Sequence, residues 1–306
     1  MRISVVIPVY NSAESLVELS EEFNIIIQQR KFDFFELIFI NDYSPKPETW
    51  STLTEICKKY TWVKAITFTK NFGQQAATFC GLSNASGDYI FTMDDDMQHH
   101  PKFIERFLEH LEHDVVIGKI AGRQSHFMDK ITTSMKAHFD EIVLGKPKHI
   151  SLSSFRMMKK EIVDEMLKIK NVKPFIIASI LHITCNIVNV SFEHQKRMEG
   201  KSNYTFSKRL KLFTHIIIDN SSIMISLLRK IALYTFGLSL IYISYLLIRK
   251  FFFGVGMLGW TSIISAIMLL GSLNLLGISI VGEYLSRIFP IIENKQAYVV
   301  KQKINF

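Results

Sequence analysis

The sequence has few cysteines and no metal-binding pattern built from them. Cys57, Cys80 and Cys185 are far apart and odd in number, so we expect reduced residues and neither a disulfide framework nor a zinc finger. Internal repeats and low-complexity segments are also absent. The formal net charge is +8, but no zinc-finger or RNP-type signature accompanies it. Because many basic residues flank apolar segments, attraction to an anionic lipid surface explains them better than nucleic-acid binding does.

Charged residues nearly vanish from two stretches, Ile231–Ile248 and Met257–Val281. Each is long enough for a bilayer core, which takes about 17–25 apolar residues. A long helix in a soluble core is the alternative, but two stretches separated by a break at Phe251–Gly256 favour a transmembrane hairpin. Basic residues lie mainly before the first stretch and after the second, although Arg249 and Lys250 lie at the outer turn. The positive-inside rule therefore predicts that both flanks are cytosolic.

The segments at either end of the N-terminal portion also bear on location. Ile3–Val9 is β-branched and contains a proline, so we expect a first strand there and not a targeting segment. Phe206–Leu228 has apolar residues at helical spacing on one face and basic residues on another. It predicts a helix lying in the membrane interface, with a domain-packing helix as the alternative.

Short apolar strands alternate with helices from Ile3 to Ile117, which is typical of an α/β fold with a mostly parallel sheet. The predicted strands are Ile3–Val9, Phe35–Ile40, Val63–Phe68, Tyr89–Met93 and Val115–Ile117, and the predicted helices are Ala13–Arg30, Glu48–Tyr60, Gln74–Asn84 and Lys102–Leu111. A helix at Ile162–Leu167 and a strand at Ile183–Val190 are predicted further along. Ligands of such sheets bind at the carboxyl ends of the strands.

Three consecutive carboxylates, Asp94, Asp95 and Asp96, follow the fourth predicted strand. On an extended backbone Asp94 and Asp96 point the same way, and Gln98 continues the row. Burying such a row is costly without a compensating cation or hydrogen-bond donors, and hard oxygen ligands suit Mg²⁺ or Mn²⁺. A solvated acidic turn is the alternative. Polar pairs after the other strands, Tyr10-Asn11, Asn41-Asp42 and Lys70-Asn71, are expected to converge on the same cleft.

Short motifs recur in order along nearly the whole chain. They are Ser4–Asn11, Ile40–Ser44, Asn71–Ala77, Gly81-Leu82, Gly87-Asp88, Met93–Gln98, Phe155-Arg156, Arg197–Tyr204, Gly282–Arg287 and Tyr298. Together with the hairpin they resemble the membrane-anchored family 2 glycosyltransferases that move a sugar from a nucleotide onto a polyisoprenyl phosphate. These are the dolichol-phosphate mannose synthase-like enzymes and the bactoprenol glucosyltransferases of O-antigen modification.

The resemblance implies a GT-A (Rossmann-like) fold, inverting transfer and a divalent cation, Mg²⁺ or Mn²⁺, held by Asp94, Asp96 and Gln98. The cation would offset the charge that develops on the leaving nucleotide diphosphate. The donor would be a UDP- or GDP-linked sugar. By resemblance, its binding residues are Pro8, Tyr10, Asn11, Asp42, Lys70, Gly73, Gln74, Asp94 and Asp95.

The acceptor phosphate is already an anionic nucleophile, so cationic and hydroxyl groups are needed more than a strong base. In archaeal members of the family an Arg, followed four residues later by a Ser, holds the lipid phosphate, and Lys130 and Ser134 keep that spacing. Arg197 matches a basic residue of the same site, and Ser202 lies in the same motif. Asp96, Lys130, Ser134 and Arg197 form the expected catalytic set. Lys119 is a further candidate, with Arg123 as its competitor.

The implied organisation is a GT-A domain (1–205), juxtamembrane amphipathic helices (206–229), two transmembrane helices (230–282) and a cytosolic tail (283–306). Such a protein would lie in the bacterial inner membrane, with its catalytic domain in the cytosol, and act in cell-envelope glycan modification. Homo-oligomerisation and a flippase partner are left open.

Two other functions compete with this one. A processive polysaccharide synthase would normally carry a Gln-x-x-Arg-Trp motif, which is absent, and more spans. A non-catalytic membrane scaffold or flippase partner would not need Asp42, Asp94 and Asp96. Three residues of this chain depart from the family pattern, so the identity of the transferred sugar is left open. Ser12 stands where many members have Glu, Tyr43 where Gly is common, and Ser154 where bacterial glucosyl members often have Asp.

Overall fold

The computed structural model describes residues 1–121, 147, 150–169, 174–193 and 296–306, with isolated positions between 241 and 292. The chain divides into two compact units, Met1–Asn203 with Lys295–Phe306, and Tyr204–Asn294. The predicted interfacial helix and almost all of both predicted spans lie outside the described residues. Among the residues that are described, no helix has the length and hydropathy needed to cross a bilayer.

The first unit begins with three β-strand–α-helix repeats and a fourth strand. They are β1 (Arg2–Val9), α1 (Glu14–Gln29), β2 (Phe34–Asn41), α2 (Pro47–Lys59), β3 (Val63–Phe68), α3 (Gln74–Ser83) and β4 (Tyr89–Thr92). Their bounds match the predicted ones to within one or two residues. Residues 3–9 of β1 are all buried, as expected for a strand covered on both faces.

The second half of the unit departs more from expectation. A 3₁₀ turn (Pro101–Phe103), α4 (Ile104–Phe107) and a second 3₁₀ turn (Leu108–His110) replace the single helix predicted there. They are followed by β5 (Val115–Ala121), β6 (Arg156–Lys159), α5 (Lys160–Lys168), α6 (Ile176–Ile183), β7 (Ile187–Glu193) and β8 (Val300–Ile304). The prediction of a strand from Ile183 was wrong at its start, because Ile183 ends α6.

The strands of the described residues form one sheet in the order β7-β5-β6-β4-β1-β2-β3-β8. β1 pairs in parallel with β2 and β4, β2 with β3, and β5 with β7. β6 and β8 run antiparallel to their neighbours. The predicted α/β fold with a mostly parallel sheet is therefore confirmed, and the carboxyl ends of β1, β2 and β4 meet at one edge.

The C-terminal residues belong to this sheet, although no strand is predicted for them. β8 pairs with β3, from Ala65↔Ile304 to Phe68↔Val300. The ring of Tyr298 stacks on Phe68 at 5.2 Å between centroids. The Nδ2 group of Asn305 donates to the carbonyls of Cys57 and Val63, each at 2.8 Å. The chain therefore returns to the first unit after the second one.

Both faces of the sheet carry apolar clusters, and α3 lies very close to β1 on one face. Gly81 makes this approach possible, since a Cβ there would lie 2.1 Å from Cγ1 of Val6. The contact fixes α3 so that its first residue, Gln74, reaches the carboxyl edge of the sheet.

Candidate active site

An open cleft of about 290 Å³ lies at the carboxyl ends of β1, β2 and β4. Its lining is rich in carboxylates and amides. The lining residues are Pro8, Val9, Tyr10, Asp42, Asn71, Gly73, Gln74, Asp94, Asp95 and Asp96. Tyr10 is exposed to 47%, so its ring is available to a ligand.

Asp94 is held by side chains from two distant segments. Nε2 of Gln74, at the start of α3, donates to Oδ1 at 2.7 Å. The hydroxyl of Ser154, just before β6, donates to Oδ2 at 2.6 Å. Because both carboxylate oxygens accept a short hydrogen bond, the orientation of this carboxylate is set before any ligand binds.

A buried histidine and a buried arginine lie next to Asp94. The backbone N–H of Asp94 donates to Nδ1 of His99 at 3.4 Å, and the His99 ring stacks on Phe155 at 5.1 Å. Burial lowers the pKa of His99, against the opposing charges of Asp94 and Asp96. Nδ1 accepts a hydrogen bond, which requires that this nitrogen carry no proton, so the ring is neutral. An ion pair with Asp94 fits less well, because Nδ1 lies 3.8 Å from Oδ2 of Asp94.

Arg156 supplies a positive charge beneath the acidic row. Its Nε donates to the carbonyl of Ser154 at 3.4 Å, and its buried Nη1 has no hydrogen-bond partner among the described residues. Burial lowers the pKa of Arg156 to about 10, while the charge of Asp94 acts in the opposite direction. The guanidinium is therefore still charged at neutral pH and partly offsets the carboxylates.

Asp95 and Asp96 have different roles from Asp94. The carboxylate of Asp95 accepts the hydroxyl of Ser12 at 2.6 Å and the backbone N–H of Tyr10 at 3.3 Å, so it joins the loop after β1 to the loop after β4. Burial raises the pKa of Asp95 to about 6, and the neighbouring carboxylates add to the effect. Oδ1 of Asp96 accepts the backbone N–H of Gln98 at 3.2 Å, and its side chain lines the cleft.

Asp42 anchors the loop between β3 and α3. Its buried carboxylate accepts the backbone N–H groups of Phe72 at 2.7 Å and Gly73 at 2.8 Å. Nδ2 of Asn71 also donates to the Asp42 carbonyl at 3.2 Å. Burial raises the pKa of Asp42, and the two backbone hydrogen bonds oppose the rise. Gly73 has φ 93°, a conformation that glycine adopts without steric cost.

The acidic row fits a hard divalent cation. Asp94 and Asp96 both border the open cleft, and Asp94 is already oriented by two donors. Carboxylate oxygens are the ligands that Mg²⁺ and Mn²⁺ prefer. Several carboxylates lining one cleft also repel an anionic ligand unless a cation lies between them.

The model of one enzyme family, described as glycosyl transferase family 2, matches residues 4–167, more than half of the chain. The chain belongs to glycosyl transferase family 2. The match includes the cleft residues from Pro8 to Asp96, together with Ser154 and Arg156. The protein is therefore a glycosyltransferase.

Curated relatives of this glycosyltransferase match it along almost all of their length. The chain is 26% identical over 302 residues to a putative glycosyltransferase, CsbB, of Bacillus subtilis, covering 98% of this chain and 91% of the relative. It is 27% identical over 305 residues to the bactoprenol glucosyl transferase of Shigella phage SfII, covering 99% and 98%.

A solved structure has the same fold. The glucosyl-3-phosphoglycerate synthase from Mycobacterium tuberculosis, in complex with Mn²⁺, uridine diphosphate and phosphoglyceric acid, matches with a TM-score of 0.52 at 16% identity. The match covers 71% of this chain and 76% of that one. At this identity the likeness shows the fold alone, and it supports the GT-A architecture expected for the glycosyltransferase.

Seven of the nine predicted donor-site residues of the glycosyltransferase line the cleft, and Asn11 and Lys70 do not. Gln98, which was predicted as a metal ligand, is not a lining residue either. Asn11, at φ 61°, accepts the Lys46 backbone N–H at 3.4 Å. Lys70 is exposed, with its ammonium over the Phe72 ring. Gln98 contacts Asp96 through its backbone N–H, which donates to Oδ1 of Asp96. The roles assigned to all of the predicted site residues stay predictions.

The predicted acceptor residues are mostly outside the described part of the glycosyltransferase. These are Lys130, Ser134, Arg197, Ser202 and Arg123, the competitor of Lys119. Lys119 is described, and it is exposed near the carboxyl end of β5. The acceptor site therefore stays a prediction.

The three departures from the family pattern each have a local structural consequence. Ser12 and Ser154 donate hydrogen bonds to Asp95 and Asp94. Tyr43 adopts φ 54°, in the left-handed region that favours glycine, so this side chain is held in a strained backbone conformation.

Sequence reasoning assigned no role to His99, Ser154 or Arg156. Asn71 was expected at the cleft and lines it, although it was not among the predicted donor-binding residues. The Phe155-Arg156 motif marks the arginine, but its burial beside Asp94 depends on how β6 pairs with β4.

Proposed function

We propose that this glycosyltransferase transfers a sugar, with inversion, from a nucleotide-sugar donor to a polyisoprenyl phosphate of the undecaprenyl type, using Mg²⁺ or Mn²⁺. The observation that carries the proposal is the carboxylate-lined cleft, where Asp94 is oriented by Gln74 and Ser154 and an exposed Tyr10 lies at the rim. The donor is a UDP- or GDP-linked sugar.

The donor half of the proposal rests on residues of the cleft. The carboxylate of Asp42 accepts two backbone N–H groups and keeps further lone pairs for the nucleoside. The exposed ring of Tyr10 offers a flat apolar surface for the base. Gly73 leaves room for the donor in the cleft, because a Cβ at this position would meet nothing within 4 Å.

Asp94 and Asp96 are the residues proposed to hold the cation. When bound, the cation neutralises charge on the diphosphate leaving group. The two donors on Asp94 keep its carboxylate from turning away, and Arg156 limits the repulsion within the acidic row. Asp95, which is occupied by Ser12 and Tyr10, acts as a positioning residue for the rim of the cleft.

In the proposed reaction an oxygen of the lipid phosphate attacks the anomeric carbon of the sugar. The bond from that carbon to the β-phosphate oxygen breaks, and the nucleoside diphosphate leaves with the electron pair. The lipid phosphate is anionic at neutral pH, so no general base has to take a proton. Lys119, Lys130, Ser134, Arg197 and Ser202 are the proposed contacts of that phosphate.

Membrane association is supported by the second unit. Large apolar side chains at its described helical positions are exposed, among them Ile241, Phe252, Ile263, Ile267, Ile278 and Ile292. Large apolar side chains exposed at many positions are unfavourable in water and are compatible with a lipid environment. The name of the bactoprenol glucosyl transferase relatives agrees with a lipid acceptor.

The experiment is to incubate purified full-length protein with undecaprenyl phosphate and a panel of radiolabelled UDP- and GDP-sugars. We expect one donor to give an organic-extractable product that carries a single sugar and is labile to mild acid. Chelation with EDTA is expected to stop the reaction, and added Mg²⁺ or Mn²⁺ to restore it.

The matched control is Asp96→Asn, which removes the charge but keeps the shape of the side chain. A product longer than one sugar would favour a processive synthase. Binding of nucleotide sugars without transfer to any polyprenyl phosphate would contradict the proposed acceptor, and full activity in EDTA would contradict the cation requirement.

A further inference from the structure

A second group of metal-ligating side chains lies on the turn before β5. It consists of His110, Glu112 and His113, whose ligand atoms all lie within 4.8 Å of one another. β5 runs parallel to β7 and antiparallel to β6, which itself runs antiparallel to β4. The start of β5 is therefore at the amino edge of the sheet, opposite the edge that carries the cleft.

The distances within this His-Glu-His cluster suit a shared ion better than direct hydrogen bonds. Oε1 of Glu112 is 3.4 Å from Nε2 of His113 and 3.6 Å from Nδ1 of His110. Hydrogen bonds of the N–H···O type are shorter, at about 2.7–3.2 Å. Two ligands bound at 2.0–2.1 Å to a tetrahedral Zn²⁺ lie about 3.3–3.4 Å apart.

The tautomer of His113 is set for metal binding by its neighbour. Nδ1 of His113 lies 2.7 Å from Oδ1 of Asn186, and the amide of Asn186 donates to the Glu112 carbonyl at 3.5 Å. With the amide group used in that way, Oδ1 is the acceptor and Nδ1 of His113 carries the proton. Nε2 then presents its lone pair towards the Glu112 carboxylate. Metal-bound histidines commonly have such a partner on the other ring nitrogen.

The turn itself is well anchored. The backbone N–H of His113 donates to the carbonyl of His110 at 3.2 Å. The ammonium of Lys159 donates to the Glu112 carbonyl at 3.2 Å, and the backbone N–H of Asp114 donates to the carbonyl of Asn186 at 3.2 Å. The three ligand atoms already lie within 4.8 Å of one another, and Glu112 is exposed while His110 and His113 are partly exposed.

We propose that His110, Glu112 and His113 form a binding site for a borderline transition-metal ion of the Zn²⁺ class, separate from the cation site of the cleft. Two imidazoles and one carboxylate select such an ion over Mg²⁺, which prefers an all-oxygen set. Water completes the coordination, because the cluster is open to solvent. Through the hydrogen bond between His113 and Asn186, the bound ion links the turn before β5 to the residue that precedes β7.

The test is to titrate chelator-treated full-length protein with Zn²⁺ against a chromophoric zinc indicator. The buffer contains Mg²⁺ in large excess over the protein. We expect one equivalent of Zn²⁺ to bind, without competition from Mg²⁺. His113→Gln and His110→Gln are expected to abolish binding. Asn186→Ala removes the partner of Nδ1 together with the weaker bond to the Glu112 carbonyl, and it is expected to weaken binding about 10- to 100-fold.

Two controls separate this site from other sources of zinc binding. Asp96→Asn alters the cleft, and Cys185→Ser removes the exposed thiol beside Asn186; both are expected to bind Zn²⁺ as the wild type does. Circular dichroism checks that each variant is folded. Zinc binding that survives His113→Gln, that is lost in Asp96→Asn, or that is absent from the wild type would overturn the proposal.

Discussion

Replacing Asp42 with alanine removes the acceptor of two backbone hydrogen bonds as well as a proposed nucleoside contact. The N–H groups of Phe72 and Gly73 donate to the two carboxylate oxygens at 2.7 and 2.8 Å. Asp42 is only 4% exposed. The substitution therefore affects the loop between β3 and α3 even when no ligand is present.

The size of the effect follows from these contacts. A hydrogen bond to a charged group contributes about 1.5–3 kcal/mol. Because the loop borders an open cleft, water can reach the freed N–H groups, and the lower value applies to each. We expect Asp42→Ala to lower the free energy of unfolding by about 3 kcal/mol. Asp42→Asn is expected to lose less, because its amide oxygen still accepts one bond.

The assay combines two measurements on the full-length protein in detergent. Denaturant unfolding, followed by the fluorescence of Trp50 and Trp62 in the first unit, reports stability. Calorimetry reports nucleotide binding. The control is Asn71→Ala, which removes a neutral bond of 3.2 Å to the Asp42 carbonyl and is expected to cost about 1 kcal/mol or less. If Asp42→Ala unfolds like the wild type while losing only nucleotide affinity, the anchoring role is wrong.

The pH dependence of stability gives a second check on Asp42. Burial raises the pKa of its carboxyl group in the folded protein above the ordinary value, so ionisation is more costly in the folded than in the unfolded chain. Its contribution to stability is complete below the unfolded pKa and declines as pH rises through the raised pKa. We expect the stability of the wild type relative to Asp42→Asn to fall over that window; a rise would contradict the direction of the shift.

Three further predictions concern other parts of the protein. Asp96→Ala is expected to abolish sugar transfer while the protein still folds; unchanged activity would refute its role at the cation. Gly81→Ala is expected to destabilise the first unit by about 1–3 kcal/mol through overpacking, because its Cβ would lie 2.1 Å from Val6 Cγ1. Val6→Ala in the same chain is expected to restore part of the loss in denaturant unfolding, and no restoration would mean another contact is responsible. Lys130→Ala and Arg197→Ala are each expected to lower kcat/KM for the lipid about ten- to a hundredfold, with nucleotide affinity unchanged by calorimetry; normal transfer would place the phosphate elsewhere.

Much of the first unit could be predicted because its signals are local. β1 to β4 are short apolar runs, and α1 and α2 between them carry apolar residues at helical spacing. The acidic row at Asp94–Asp96 was also recognisable, since a strand that ends in three carboxylates is an unusual pattern. The alternation of elements then implied that the strand ends share one edge.

The elements that escaped prediction depend on partners far away in the chain. β6 is four residues long and includes Arg156 and Lys159, so its pattern is weak until β4 and β5 pair with it. β8 has exposed Lys and Gln side chains, which suit an edge strand but do not predict a strand from the sequence alone. Its pairing with β3 joins residues more than 200 positions apart.

The sequence by itself determined which residues could meet at the cleft, through strand order and the positions of polar residues after each strand. The tertiary structure decided what each of them does. Asp94 is oriented by Gln74 and Ser154, whereas Asp95, its neighbour, bonds to the loop after β1. The physical reason is that a carboxylate's partners come from other segments of the chain, so its role depends on packing that local sequence does not encode.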